Sequence, residues 1–439
     1  MEPRPGPPAK AGSGLRLGGL SNSILAGPPS SPGIRGGLGI EGNAPRHAGE
    51  NPCLRRPSLR YHGLVKFSVL REFADGERRI PLSPDSVPRL TALGLQVVVE
   101  AGAGEAAGFT DEALAGVGAE VAPDRAAALQ GAQLVCKVQP PTVEEAKALP
   151  EGCCLISFLP SSTERAVVAE LVGRQITAFS FELVPRISRA QSMDALSSQA
   201  SIGGYKAVLV GAARLPKILP LQMTAAGTIP PARVLVMGAG VAGLQAIATA
   251  RRLGAVVEAT DVRTAVRDEV KSLGATFVEL ELEAQEGEGG YAREQSEEFL
   301  QRQRELIAQR VEQSDLVVTT AAVPGRRAPI LITRELVERM RPGAVIVDLA
   351  ADTGGNCELT RPGEEVVVKG VTIIGQRNLP ASVPTTSSQM LARNVAAIVA
   401  LLVKDGELHL DFEDEVVAGA CAIHAGEVRS PQLKEAISS

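Results

Sequence analysis

From Val65 onward the chain alternates two hydrophobic patterns. One is a short, nearly continuous run of Val, Leu, Ile and Ala; the other spaces its apolar residues three or four positions apart. The first pattern predicts buried strands at 66–70, 96–100, 134–138 and 154–157, and the second predicts helices between them, for example at 84–93 and 163–174. Strands separated by helices imply a parallel sheet covered on both faces. Residues 196–214, apolar with many small side chains, predict a connecting helix, and a second strand–helix series starts at Val234. The expected fold class is α/β, with two Rossmann-like, doubly wound domains and a cleft between them. The first domain is expected to be discontinuous, 64–193 plus 371–439, because the chain must return to cover that sheet; the second takes 194–370.

Residues 1–63 follow neither pattern. Pro, Gly, Ser and Arg dominate them, and such a segment cannot bury enough apolar surface to offset its ordering entropy. They also lack the apolar stretch of a secretory signal. A disordered tail, a transit-like leader and a start codon placed too early all fit. The abrupt onset of order at Val65 favours the last.

Composition narrows the function. The 439 residues are 44% hydrophobic and 22% charged, the balance of a soluble globular protein with enough chain for two or three domains. A formal net charge of −5, 3% aromatics and no Trp argue against nucleic acid as a partner. Residues 394–403 are apolar, but a membrane span needs about 20 such residues, so no direct membrane insertion is expected. The six cysteines (53, 136, 153, 154, 357 and 421) form no Cys-x-x-Cys pair and have no His at zinc-ligand spacing. Buried thiols, no metal and a reducing, cytoplasmic compartment are expected.

The sharpest chemical signal is Gly238-Ala-Gly240-Val-Ala-Gly243, which follows an apolar strand from Arg233 and precedes a helix expected at 244–253. The next strand, from Val256, ends in Asp261, about 20 residues beyond the glycines, as a dinucleotide-binding unit requires. Gly238 makes the tight turn, Gly240 lets backbone N–H groups approach a pyrophosphate, and Gly243 lets helix and strand pack closely. Val241 opens the helix whose N-terminus holds the anion. Asp261 is expected to accept the adenosine ribose hydroxyls and so to favour NAD(H). Arg263, one residue beyond Val262, leaves a 2′-phosphate open as an alternative. Two later strands, 314–320 and 344–350, end in small residues, and Thr320, Ala321 and Ala322 are candidates to border the nicotinamide half.

Absences matter as well. The four histidines (47, 62, 409 and 424) all lie outside the nucleotide-binding half, and no Gly-x-Ser-x-Gly elbow accompanies them. Oxidising an alcohol or amine needs a proton acceptor, whereas hydride exchange between two nicotinamides needs only approach, orientation and water exclusion. The polar cluster 185–199 directly precedes the connecting helix and can face the cleft. Its Arg186, Gln191, Asp194 and Ser197 offer a guanidinium, an amide, a carboxylate and a hydroxyl to hold a nicotinamide and its ribose; a solvated helix start is the alternative. The acidic stretch 279–304 breaks the strand–helix rhythm and reads either as a lid carrying Gly290 and Tyr291 or as a plain loop.

Taken with Leu70-Arg-Glu-Phe-Ala-Asp-Gly-Glu-Arg-Arg-Ile-Pro-Leu-Ser-Pro84 and Asp411-Phe-Glu-Asp-Glu-Val-Val-Ala-Gly-Ala-Cys421, these segments resemble the soluble NAD(H)-binding α1 subunits of proton-translocating transhydrogenases. The resemblance implies that Arg186, Gln191 and Asp194, with Ser197 beside them, position the dihydronicotinamide. It also implies that Asp261 binds ribose and that Gly290-Tyr291 belongs to a loop closing over the nucleotide. Hydride would pass from NADH here to NADP(H) on a partner subunit, coupled to proton movement through membrane-spanning subunits. The chain would form a homodimer and sit peripherally on the inner membrane. Alanine dehydrogenase is the alternative relative: Arg79 and Lys137 match its substrate-binding cations and Asp352 its active-site Asp. Pro160, however, stands where that enzyme has its catalytic His.

Overall fold

The computed structural model of the chain describes residues 64–279, 297–322 and 327–438. Two sheets organise them. The first places, in spatial order, Glu120–Ala122, Leu95–Glu100, Val65–Val69, Leu134–Cys136, Cys154–Ser157 and Thr177–Ser180, all parallel. Cys421–His424 and Glu427–Val428 then extend it antiparallel, so the chain's last strands complete the sheet that its first strands begin. The first domain is therefore discontinuous.

The second sheet runs Thr276–Phe277, Val256–Thr260, Arg233–Met237, Leu316–Thr319, Val345–Asp348 and Val371–Ile374, with Glu365–Val368 antiparallel at its edge. Leu134–Cys136, Leu316–Thr319 and Val345–Asp348 are buried at every position, which explains their unbroken apolar sequences: strands covered on both faces have no polar side to show. In each sheet the chain order reverses between two central strands, and a crevice opens there at the strands' carboxyl ends.

Most strands lie within a residue or two of their predicted spans; the helices end earlier than expected. The helix expected at 84–93 shortens to Val87–Thr91, and that expected at 163–174 to Arg165–Gly173. One expected boundary moves. Val371–Ile374 pairs with Val345–Asp348 in the second sheet, so the chain returns to the first domain only beyond it, not at 371. Residues 297–304, read as part of the acidic loop, belong to the helix Glu297–Gln313.

Two long helices tie the sheets together. The linker helix, Ala195–Arg214, buries Ala195 in the first domain's core and Ala207 and Val208 in the second's. Its glycines permit close packing: a Cβ on Gly204 would meet the Ala242 carbonyl oxygen at 2.0 Å, and one on Gly211 would meet Leu316 Cδ1 at 2.5 Å. The return helix, Pro384–Leu402, buries Leu391, Val395, Val399 and Leu402 against the first sheet. Cys136, Cys153, Cys154, Cys357 and Cys421 are free and buried. Among the described residues no helix is long and apolar enough to cross a membrane, and no cluster suited to a metal ion occurs.

Candidate functional site

The glycine turn follows from three backbone constraints. Gly238 has φ +102°, a conformation side chains rarely adopt, and a Cβ there would meet Thr320 Oγ1 at 2.4 Å. A Cβ on Gly243 would lie 1.9 Å from the Gly238 carbonyl oxygen. Gly240 differs, because a Cβ there would meet only the Arg263 guanidinium, at 3.9 Å. Two glycines are thus required by the protein's own packing, while the third keeps open the space in front of the turn.

The helix after the turn spans Val241–Arg252, beginning three residues before the predicted start, so Gly243 sits inside its first turn. Gly240 caps it without a side-chain hydrogen bond, and its first turn holds no acidic residue. Its leading N–H groups and dipole therefore face the space before Gly240, an arrangement suited to a pyrophosphate.

Asp261 stands across the turn, its side chain 5% exposed. Its Oδ2 accepts a hydrogen bond from Ala239 N at 2.7 Å, and both oxygens accept from Arg263, through N at 2.8 Å and Nε and Nη2 at 3.0 Å. Burial pushes the carboxyl pKa upward, but the Arg263 and backbone donors outweigh it and hold the group below the usual carboxylate range. The Arg263 guanidinium is thus folded onto Asp261.

The floor is the switch point. Thr320 N donates to the Met237 carbonyl at 2.9 Å, and Thr320 Oγ1 lies 3.1 Å from the Gly238 carbonyl oxygen. Asn356, wholly buried, was not singled out from sequence. Its Oδ1 accepts from Ala321 N at 3.0 Å, and its Nδ2 donates to the carbonyls of Ala321 and Pro329, both at 2.8 Å. It pins two stretches of cavity wall with one side chain.

A cavity of about 740 Å³ joins these parts to the first domain. From the nucleotide domain it is lined by Gly238, Gly240, Val241, Asp261, Val262, Arg263 and Thr320–Ala322; from the other side by Arg186, Leu196, Ser197 and Ala200. The structure therefore brings Arg186 and Ser197 together with the glycine turn. Gln191 is exposed, and Asp194 serves the linker helix, its carboxylate accepting from Ser197 N at 2.8 Å and Ser197 Oγ at 2.6 Å; neither lines the cavity. Gly290 and Tyr291 lie outside the described residues. None of the described lining residues is His, Lys, Cys or Glu.

The cations matched to alanine dehydrogenase are occupied elsewhere. Arg79 is buried and donates to both carboxylate oxygens of Glu77 and to Gln199 Oε1 at 2.9 Å. Lys137, also buried, lies 3.0 Å from Glu145 and 3.4 Å from Glu72. Pro160 offers only its carbonyl, which accepts from Thr163, and Asp352 is paired with Arg377.

Residues 68–203 match the family model of the alanine dehydrogenase/PNT N-terminal domain, and residues 207–431 that of its C-terminal domain. The chain is 47% identical over 379 residues to the first portion of the split NAD(P) transhydrogenase subunit alpha of Rhodospirillum rubrum, covering 84% of this chain and 99% of that one. It is 30% identical over 379 residues to alanine dehydrogenase of Halomonas elongata, covering 85% and 96%. The crystal structure of transhydrogenase from Sinorhizobium meliloti superposes with a TM-score of 0.73 at 39% identity, covering 84% of this chain and 99% of the other.

Proposed function

The chain belongs to the alanine dehydrogenase/PNT family, and from that premise we propose that it is the NAD(H)-binding subunit of a proton-translocating transhydrogenase, passing hydride between NADH and NADP⁺. The observation that carries this reading is the shared cavity: Arg186 and Ser197 line the same space as Gly238, Gly240 and Asp261. A dinucleotide seated on the turn has its far end directed toward that segment.

NADH supplies the hydride, a proton with its electron pair, and becomes NAD⁺ while NADP⁺ becomes NADPH. No other proton changes hands, so the chain's residues need only bind, orient and exclude water. The N–H groups at the start of the helix from Val241 receive the pyrophosphate, and Asp261 receives the adenosine ribose. Thr320, Ala321 and Ala322 border the nicotinamide half. Arg186, with Gln191, Asp194 and Ser197, sets the pose of the ring, Asp194 acting through the helix start that carries Ser197. With Arg263 folded onto Asp261, a 2′-phosphate would have to break that pair and then face a carboxylate, which favours NAD(H) over NADP(H).

Under this reading NADP(H) binds a partner subunit and membrane-spanning subunits carry the protons. The chain works as a homodimer on the cytoplasmic side of the inner membrane, with Gly290-Tyr291 closing over the nucleotide. The test mixes the full chain with the NADP(H)-binding subunit, NADPH and an NAD⁺ analogue. Analogue reduction is expected; reduction of NAD⁺ by alanine with the chain alone would instead mark an amino-acid dehydrogenase.

A further inference from the structure

Arg186 and Gln191 flank and enter a short 3-10 turn, Ser188–Met193. Such turns have poor internal hydrogen-bond geometry, so their orientation depends on what surrounds them. Here the surroundings come from distant parts of the chain, at three points.

Before the turn, Pro185 packs on the short helix Glu415–Ala420 so closely that a Cβ on Gly419 would lie 2.6 Å from Pro185 Cγ. On the turn, Arg189 donates from both terminal nitrogens to the two carboxylate oxygens of Asp414, at 2.8 and 2.7 Å. The same carboxylate accepts from Val416 N and Val417 N, so Asp414 caps the helix and clamps the arginine together. Near the turn's end, Asn394 of the return helix donates from Nδ2 to the Ser192 carbonyl at 2.8 Å and accepts from Ser198 Oγ at 2.7 Å. Asn394 is only 6% exposed, so its amide has little freedom to turn away. The segment bearing Asp414 is itself fixed: the Phe412 ring lies 4.5 Å from the His424 ring, with the Arg429 guanidinium 4.5 Å above it.

Resting on the functional reading above, we propose that Asp414 and Asn394 are positioning residues for hydride transfer, holding through Arg189 and Ser192 the turn that presents Arg186 to the cleft. Neither lines the cavity. Their influence passes only through the pose of the 185–193 segment, whereas the glycine turn and Asp261 belong to the other sheet's domain. Loosening the turn should therefore slow transfer while leaving nucleotide affinity nearly intact, because a misplacement of about 1 Å can cost on the order of 100-fold in rate.

The experiment assembles the full chain with the NADP(H)-binding subunit and compares Asp414→Asn, Arg189→Ala, Arg189→Lys and Asn394→Ala with the parent. Three quantities are read: kcat for hydride transfer, Kd for NADH, and hydrogen exchange of the amides at 187–193. Asp414→Asn keeps a capping acceptor for its helix and removes the charge facing Arg189. Arg189 is 45% exposed, so its variants test the clamp without opening the core. The expected result is faster exchange in the turn, kcat lowered about 10-fold for Asp414→Asn and Arg189→Ala, and Kd within about twofold of the parent. Arg189→Lys, which keeps the charge but loses the fork, should recover part of the rate. Unchanged exchange overturns the proposal, as does faster exchange at an unchanged kcat, or a loss in Kd matching that in kcat. A parent assembly that transfers no hydride overturns the functional reading instead, and is distinguished because parent and variants are then inactive alike.

Discussion

Gly243 sits so close to Gly238 that a single added carbon on the first would lie 1.9 Å from the carbonyl oxygen of the second. That oxygen belongs to backbone and has no side-chain freedom with which to retreat. Gly243→Ala must therefore push the helix start away from the strand it packs on. A stability loss of about 1–3 kcal/mol in urea unfolding is expected, with NADH affinity reduced at least about 10-fold. Unchanged affinity by fluorescence titration would show that the turn does not seat the nucleotide.

Asp261 holds two partners, Ala239 N and Arg263, and on the present account receives a ribose as well. Asp261→Asn removes the charge while nearly keeping the shape. Since hydrogen bonds to charged groups contribute about 1.5–3 kcal/mol, NADH should bind about 10- to 100-fold more weakly. Affinity for NADPH should fall less, because the freed Arg263 can meet its extra phosphate. Parallel titrations with the two nucleotides check this, and equal losses in both count against the ribose assignment.

Glu77 and Arg79 form a buried pair with side chains 0% and 4% exposed. Burial pushes the Glu77 pKa up, but the hydrogen bonds and charge of Arg79 prevail and lower it from 4.5 to about 2. A folded pKa below the unfolded one adds stability that is present above about pH 4.5 and is lost as pH falls toward 2. The gap between 4.5 and about 2 corresponds to roughly 3 kcal/mol. Glu77→Gln should destabilise the protein by about 3–5 kcal/mol at pH 7, since it leaves Arg79 unpaired, and should flatten the decline between pH 5 and 2 by about 3 kcal/mol. Urea unfolding across that range measures both effects.

Asn356 satisfies Ala321 N–H and the carbonyls of Ala321 and Pro329 from a fully buried position. Asn356→Ala strands those backbone groups. A stability loss of about 2–4 kcal/mol is expected, together with weaker NADH binding, because Ala321 and Pro329 both line the cavity. Calorimetric titration at a temperature where the variant is fully folded separates the two; full affinity there would confine Asn356 to a scaffolding role.

What the sequence made legible were features written in consecutive residues. The runs at 134–136, 316–319 and 345–348 read directly as strands, since burial on both faces leaves no polar position. The glycine spacing likewise read directly, with Asp261 at its expected distance. Val371–Ile374 was assigned to the wrong sheet because its apolar pattern would suit either, and pairing is decided by partners far away in the chain. The helix from Val241 started early because its uncapped first turn lacks the residues that mark a helix start. Asn356, Asn394 and Asp414 carried no local signal at all. Asn394 meets Ser192 across 202 positions and Asp414 meets Arg189 across 225, relationships that only the folded chain creates.

The central claim is that one dinucleotide spans the two domains, its phosphates on the turn at Gly238–Gly243 and its ring beside Arg186 and Ser197. A crystal structure of the chain with NADH tests it most directly. The account predicts pyrophosphate oxygens hydrogen-bonded to N–H groups at the start of the helix from Val241, ribose hydroxyls on Asp261, and the nicotinamide in contact with the Arg186 segment. A nicotinamide turned away from Arg186, or a nucleotide bound outside this cavity, would contradict it.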